Sequence, residues 1–503
     1  MKIKTLVGLI GIVTLINILG RMTGFLREIL IGIHFGTSFL ADSVVLAYTL
    51  PQFFYIVLGG ALTTSFISIY SKIDDTNKRD FKRVILTYSS LILLVLTVAL
   101  ILLNEVIIRE LFPGLEGNQL DVTQSLFNIT APSTLFLVLS MWFTGILNVH
   151  GKYVGASIAV LLNNVLFVLA ILVFHRFFGV YAYAWGFVFG ALIMFVLLIY
   201  QMKKEELLSA SPQFKYVDSS HLRRLFKIFI PILLGGATLQ FYFLIQRIFA
   251  SSLSEGYVAA INYASKLIQL PQTILMTSVT TVIYPLLAKK VANKEYQDIN
   301  KIFEKGNHLL VILIIPLSIY TYFFSSEITE IIFGYGSFDN RSIIMTSSML
   351  KIFVIGMFAH AANMYITRFF YATEKTMYPV IISVIAVFVL NVLLVNLLLP
   401  VIGAGAVPWG TTVSAFAQYF ALLILGKYLL GLRAGSHVQI LKYVFLISTQ
   451  VIIFYLFKNF TSFQNNLVEL TVSLLLFGIT YLLTLYLLGE RLSTLNPKSS
   501  KRV

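Results

Sequence analysis

Apolar runs of about twenty residues, separated by short polar stretches, recur along the whole chain. A helix rises about 1.5 Å per residue and a bilayer core is about 30 Å thick, so each run is long enough to span. The pattern predicts spanning helices near 6–33, 40–70, 84–104, 126–148, 155–174, 180–201, 226–250, 258–287, 308–325, 343–370, 379–399, 408–430, 439–458 and 466–488. The expected fold class is an all-α polytopic membrane protein of about 14 transmembrane helices. The connections are short, the longest about twenty-odd residues, too short for a separate aqueous domain.

Composition agrees. Hydrophobic residues make up 58% of the 503, charged residues 12%, and the mean hydropathy is +0.87. A soluble protein carries about 25% charged residues. There are no cysteines, which excludes disulfides, thiol catalysis and thiolate metal sites. The seven histidines are scattered without ligand-like spacing. The net charge of +15 would suggest nucleic acid in a soluble protein; here the positive-inside rule accounts for it, and no nucleic-acid partner is expected.

The charges test the helix count independently. With the N-terminus inside, about 28 of the 37 Lys and Arg fall on inside segments and about four outside. Outside segments such as 105–121 and 327–339 are acidic or neutral loops. Both termini are expected to be cytoplasmic. Met1-Lys2-Ile3-Lys4 before an apolar run resembles a signal peptide, but no small-residue cleavage site follows. The expectation is a retained first helix.

About five cations remain inside spanning segments: Arg21, Arg27, Arg247, Lys266 and Lys351. A charge at mid-membrane costs at least about 2.5–3.5 kcal/mol, so such residues face a cavity or a partner. The nearest acids are Glu28 and Asp42. Cations outnumber them, which favours an anionic ligand. Arg21 and Arg27 lie about 9 Å apart along one helix, and guanidinium forks match phosphate oxygens. The structural alternative pairs Arg27 with Asp42 or Glu28 and lets Arg21 reach for the interface. Arg247, ending the seventh segment, reads as an anchor at the outer interface. Lys266 is either a ligand residue or another such anchor.

An internal repeat is visible. Leu50-Pro51-Gln52 answers Leu270-Pro271-Gln272, and Gly151-Lys152-Tyr153 answers Glu374-Lys375-Thr376. A parallel repeat of six segments implies two pseudo-symmetric six-helix lobes plus two C-terminal helices. Pro51 and Pro271 occupy the repeated position and are the expected hinges. No glycine-rich nucleotide loop is present, so no cofactor is expected, and a membrane potential or an ion gradient is the expected energy source. The acidic pair Asp74-Asp75 sits in a basic loop, which argues against a membrane-embedded glycosyl- or phosphotransferase. The surplus of cations argues against a drug/cation antiporter.

Several stretches together resemble the MurJ/MviN lipid II flippases of the multidrug/oligosaccharidyl-lipid/polysaccharide exporter superfamily. They are Gly20–Glu28, Phe35-Gly36-Thr37 with Ala41-Asp42, Leu50-Pro51 with Gly60-Ala61, Leu162-Asn163-Asn164, Asn262–Pro271, Tyr284-Pro285 and Arg368–Ala372. The resemblance implies lobes at 1–205 and 222–432, a helix pair at 437–490 forming a lipid-facing groove, and a basic cytoplasmic tail at 491–503. It implies a transporter, not an enzyme, in the bacterial cytoplasmic membrane. It would act as a monomer among membrane lipids and move undecaprenyl-diphosphate-linked peptidoglycan precursor from inner to outer leaflet by alternating access. A flippase for another lipid-linked anionic glycan is the alternative.

By the same resemblance Arg21, Arg27, Lys266, Asp42 and Glu28 bind substrate. Lys266 stands where the family has Arg, and Tyr55 and Ile56 where many members have paired arginines. Some members bind sodium; Asn391 and Thr411 match that pattern, while Gln246 and Val395 replace its acids.

Overall fold

The computed structural model describes residues 3–208, 211–215, 219–293, 295–433, 437–461, 463 and 465–489. The regular structure among these residues is helical, with no strand among them. In order the α-helices are α1 (Ile3–Phe35), α2 (Phe39–Ala47), α3 (Thr49–Tyr70), α4 (Asp75–Leu102), α5 (Asn104–Leu111), α6 (Gly117–Thr130) and α7 (Ser133–Val149). They continue as α8 (Tyr153–Phe178), α9 (Tyr181–Lys204), α10 (Ser219–Ser251), α11 (Tyr257–Ala292), α12 (Tyr296–Phe323) and α13 (Ser325–Phe333). The last six are α14 (Asn340–Ala372), α15 (Met377–Val384), α16 (Val392–Ile402), α17 (Ala406–Leu430), α18 (His437–Phe460) and α19 (Asn466–Leu487).

Every apolar run predicted to span falls on a helix or a pair of consecutive helices. Among the described residues nine helices are long and apolar enough to cross a membrane, or up to eleven with bent pairs taken as single spans. One of the nine is the run Met377–Leu430, whose 54 residues would measure about 80 Å if straight. It turns at Gly403–Gly405, where α16 and α17 pack against each other, so it holds two spans. A total of fourteen is consistent with this arrangement. The basic tail at 491–503 lies outside the described residues.

Two expected loops are corrected. Residues 104–111 and 325–333 form the short helices α5 and α13. Each carries apolar residues on one face and charges on the other, with Ile108 and Phe333 fully buried. That is helical periodicity too short to register as a span.

Contacts divide the chain into two units: Met1–Asn262 with Gly336–Phe338, and Tyr263–Tyr335 with Asp339–Val503. In the first unit α1 packs on α8, α8 on α9, α7 on α3 and α9, and α10 on α3. Small residues allow the close α3–α7 approach. A Cβ on Gly145 would lie 2.3 Å from the Thr63 side chain, and one on Gly59 would lie 2.9 Å from Met141 Sδ. Helix association within a bilayer relies on such close packing.

The break between α2 and α3 follows from Pro51. A proline ring clashes with the carbonyl four residues earlier, here that of Ala47, and α2 ends at Ala47. The freed carbonyl accepts from Thr130 Oγ1 of α6 at 2.9 Å. Pro271 differs: α11 continues through it.

In the second unit α14 packs against α12, α13 and α17. The C-terminal pair docks through an aromatic cluster of Tyr320, Phe324, Phe454 and Phe457. Lys458 pairs with Glu327 and with Glu469, the latter at 2.7 Å, and lies over the Phe324 ring. An apolar crevice of about 480 Å³ runs along α12, α14 and α17; of the C-terminal pair, only Val451 of α18 lines it.

Candidate functional site: a buried ionic cluster

Arg27 and Glu28 are neighbours on α1, in the first unit, and both are buried. Arg27 Nη2 and Nε donate to Glu28 Oε1 at 2.7 and 3.2 Å. Glu28 Oε2 accepts from Tyr48 Oη at 3.2 Å and from Asn262 Nδ2 at 2.8 Å. Asn262 Oδ1 accepts from Arg247 Nη2 at 3.1 Å, and Arg247 Nη1 donates to Thr49 Oγ1 at 3.1 Å. Both guanidinium groups lie over the Tyr48 ring, at 5.1 and 5.5 Å from its centroid. Cation–π contact of this kind strengthens when water is excluded.

The helix break explains why Tyr48 and Thr49 are available. Tyr48 is the turn residue between α2 and α3. Its phenol can therefore reach Glu28 while Thr49 opens the next helix.

Within the first unit's described contacts, two guanidinium groups and one carboxylate sum to one net positive charge. A guanidinium has five donors, and Arg27 directs two of its nitrogens at Glu28. The arrangement can therefore accept an oxyanion while its own acid holds the arginines in place.

The sequence expectations are met unevenly. Of the two pairings open for Arg27, the structure has Glu28. Arg21 is exposed on α1, beside the point where Asn164 Nδ2 of α8 donates to Gly20 O at 3.0 Å. Asp42 is only 2% exposed, and its two oxygens accept the backbone N–H groups of Gly256 and Ala259, both at 2.7 Å. It caps the start of α11. Lys266 is half-buried on α11 in the second unit, and Lys351 is exposed on α14.

Arg247 corrects the reading of an outer-interface anchor. Helix α10 continues one turn past it to Ser251, and a guanidinium removed from water takes the nearest oxygens, those of Thr49 and Asn262. Arg247, Tyr48, Thr49 and Asn262 were not read as site residues. The only sequence signal was a charge in an apolar segment.

Asn391 and Thr411, the sodium candidates, offer neutral oxygens only. Asn391 closes a π-helical turn, Ile385–Asn391, and both polar atoms of its buried amide lack a hydrogen-bond partner among the described residues. Thr411 Oγ1 donates to Val407 O at 3.1 Å, and Val395 is buried against Gly410. An amide and a hydroxyl carry no charge to offset a cation. No cluster of three or more His, Cys, Asp or Glu occurs among the described residues.

Apolar helices of spanning length around a buried, net-positive ionic cluster define a polytopic membrane protein of the transporter class. Comparison with known proteins narrows this. The family model described as lipid II flippase MurJ matches residues 31–477, and the chain belongs to that family. Among curated relatives, the probable lipid II flippase MurJ of Buchnera aphidicola subsp. Acyrthosiphon pisum (strain APS) is 26% identical over 509 residues. That alignment covers 97% of this chain and 98% of that protein. A solved lipid II flippase MurJ in an inward closed conformation superposes with TM-score 0.82 at 22% identity, covering 94% of this chain and 97% of its own. An inward-facing multidrug resistance MATE family transporter of the MOP superfamily gives TM-score 0.69 at 13% identity, covering 81% and 94%. The two structures share the fold.

Proposed function

We propose that this chain is a flippase that carries lipid II, the undecaprenyl-diphosphate-linked peptidoglycan precursor, from the inner to the outer leaflet of a bacterial cytoplasmic membrane by alternating access. Family membership supports the substrate. The observation that carries the mechanism is the Arg27–Glu28–Arg247 cluster, with its one surplus positive charge inside apolar helices.

In this reading the diphosphate is held by Arg27 and Arg21, and Lys266 is a further candidate cation for the substrate. Glu28 orients Arg27, and Asp42 supports the site by capping α11. The polyprenyl chain stays in lipid and leans on the C-terminal helices; an apolar crevice touches α18 at Val451. Pro51 lets α2 and α3 move as separate rods, and Pro271 is the matching hinge. The six-helix lobes at 1–205 and 222–432, the helix pair at 437–490 and the cytoplasmic tail at 491–503 follow the positive-inside pattern, with both termini cytoplasmic. The chain acts as a monomer.

Energy comes from the membrane potential, worth about 2.3 kcal/mol per charge per 100 mV.

The test is a leaflet assay for lipid II in cells stripped of their own flippase. Wild type exposes lipid II outside; Arg21→Ala/Arg27→Ala inserts normally and does not. A well-inserted wild type that leaves lipid II inside overturns the substrate and points to another lipid-linked glycan. Full activity of the double variant overturns the cationic site.

A further inference from the structure

We propose that the first unit also carries a binding site for an anionic phospholipid, at the basic end of α4 and separate from the ionic cluster. An apolar crevice of about 490 Å³ lies between α4, α7 and α9, walled by Leu91, Leu94, Leu139, Phe195 and Ile199. That volume is in the range of ligand pockets.

The chain after α9 folds back to cover it. Arg83 Nε donates to Ser211 O at 3.1 Å, the Gln213 N–H to Thr87 Oγ1 at 3.0 Å, and Tyr88 Oη to Phe214 O at 3.0 Å. These bonds hold Pro212 and Phe214 against the crevice.

Its basic end is polar and under-satisfied. Lys82 is 8% exposed and makes no hydrogen bond or ion pair among the described residues. Trp142 is fully buried, and its indole N–H has no acceptor among the described residues. Lys82, Arg83 and Trp142 line one small gap, which shares Leu86, Phe143 and Leu208 with the crevice. Asp80 lies 3.6 Å from Arg83. Two buried donors without an acceptor therefore adjoin an apolar slot.

A ligand that satisfies both parts has an oxyanion at one end and hydrocarbon at the other. Burying an ammonium without a counter-charge is unfavourable, and a phosphate oxygen supplies that charge. Basic pockets between membrane helices bind anionic headgroups in this way. The occupant is a phospholipid of the surrounding bilayer, since no crevice residue belongs to the Arg27–Glu28–Arg247 cluster.

The test is native mass spectrometry of the full chain with equal amounts of dioleoylphosphatidylglycerol and dioleoylphosphatidylcholine, and in a second run with undecaprenyl diphosphate. Wild type retains phosphatidylglycerol with about fivefold preference over phosphatidylcholine. Lys82→Met brings the two lipids close to parity. Ser90→Phe, which narrows the crevice and leaves Lys82 in place, lowers retention of both. An unchanged preference in Lys82→Met overturns the proposal. So does a wild type that takes undecaprenyl diphosphate ahead of phosphatidylglycerol, which would make this a second contact for the transported lipid.

Discussion

The Asp42 carboxylate on α2 accepts the Gly256 N–H at 2.7 Å, immediately before α11 begins. Its other oxygen takes the Ala259 N–H, and Glu255 in turn accepts the N–H of Phe39, the first residue of α2. The two helix starts thus cap each other, each lending an acid to the other's orphan donors and dipole. Gly256 has φ +94°, and a Cβ there would lie 2.1 Å from Thr37 O, so this corner takes only glycine.

Loss of that cap is measurable as stability. Asp42→Ala strands two buried N–H groups and should destabilise the protein by about 2 kcal/mol. Asp42→Asn keeps one acceptor and should lie between it and wild type in thermal unfolding of the purified chain. Identical melting of all three would show that the clasp contributes nothing.

Glu28 is the only carboxylate bonded to the Arg27–Arg247 cluster among the described residues. Glu28→Gln leaves two buried guanidinium groups beside Tyr48 and should cost about 3 kcal/mol or more. Glu28→Gln/Arg247→Gln removes one positive charge as well and should recover much of that loss. The double-mutant cycle reads the coupling directly; strict additivity would mean the two residues do not share a network.

Pro51→Ala removes the ring that clashes with the Ala47 carbonyl and lets α2 and α3 join into one rod. The expected outcome is unchanged or raised thermal stability with a lower rate of lipid II exposure in the leaflet assay. Pro271→Ala, in a helix that is already continuous, should affect stability less. A Pro51→Ala variant that transports at the wild-type rate would remove the hinge role.

Asp339 caps α14: its carboxylate accepts the Ser342 N–H at 2.9 Å and the Ser342 hydroxyl at 2.8 Å. These bonds hold its acid below the usual value of 3.8. A depressed carboxylate stabilises fully above its unfolded value and loses that effect as pH falls through the folded one. The cap should therefore be constant across neutral pH and fade only below about pH 4. Asp339→Ala should lose about 1 kcal/mol at neutral pH, and the gap to wild type should close in acid. A gap that stays constant as the pH is lowered from 5 to 1.5 in thermal unfolding would mean the charge is irrelevant.

Helix positions, membrane class and the presence of Arg27 inside an apolar helix were legible in the chain because burial in lipid acts on each segment by itself. An apolar run of spanning length has few alternatives to a helix, and a charge within it is conspicuous wherever the helix packs. The partners of those charges were not legible. Arg27 had two acids within reach in sequence, and only the folded unit decides for Glu28. Asp42 looked like a site acid and turned out to cap a helix that begins more than two hundred residues later. Arg247 looked peripheral because its segment seemed to end there; the extra turn of α10 and the oxygens of Thr49 and Asn262 draw it into the cluster. Hydrophobicity is a property of local segments, whereas a hydrogen bond between α1, α3, α10 and α11 depends on which faces the packing brings together.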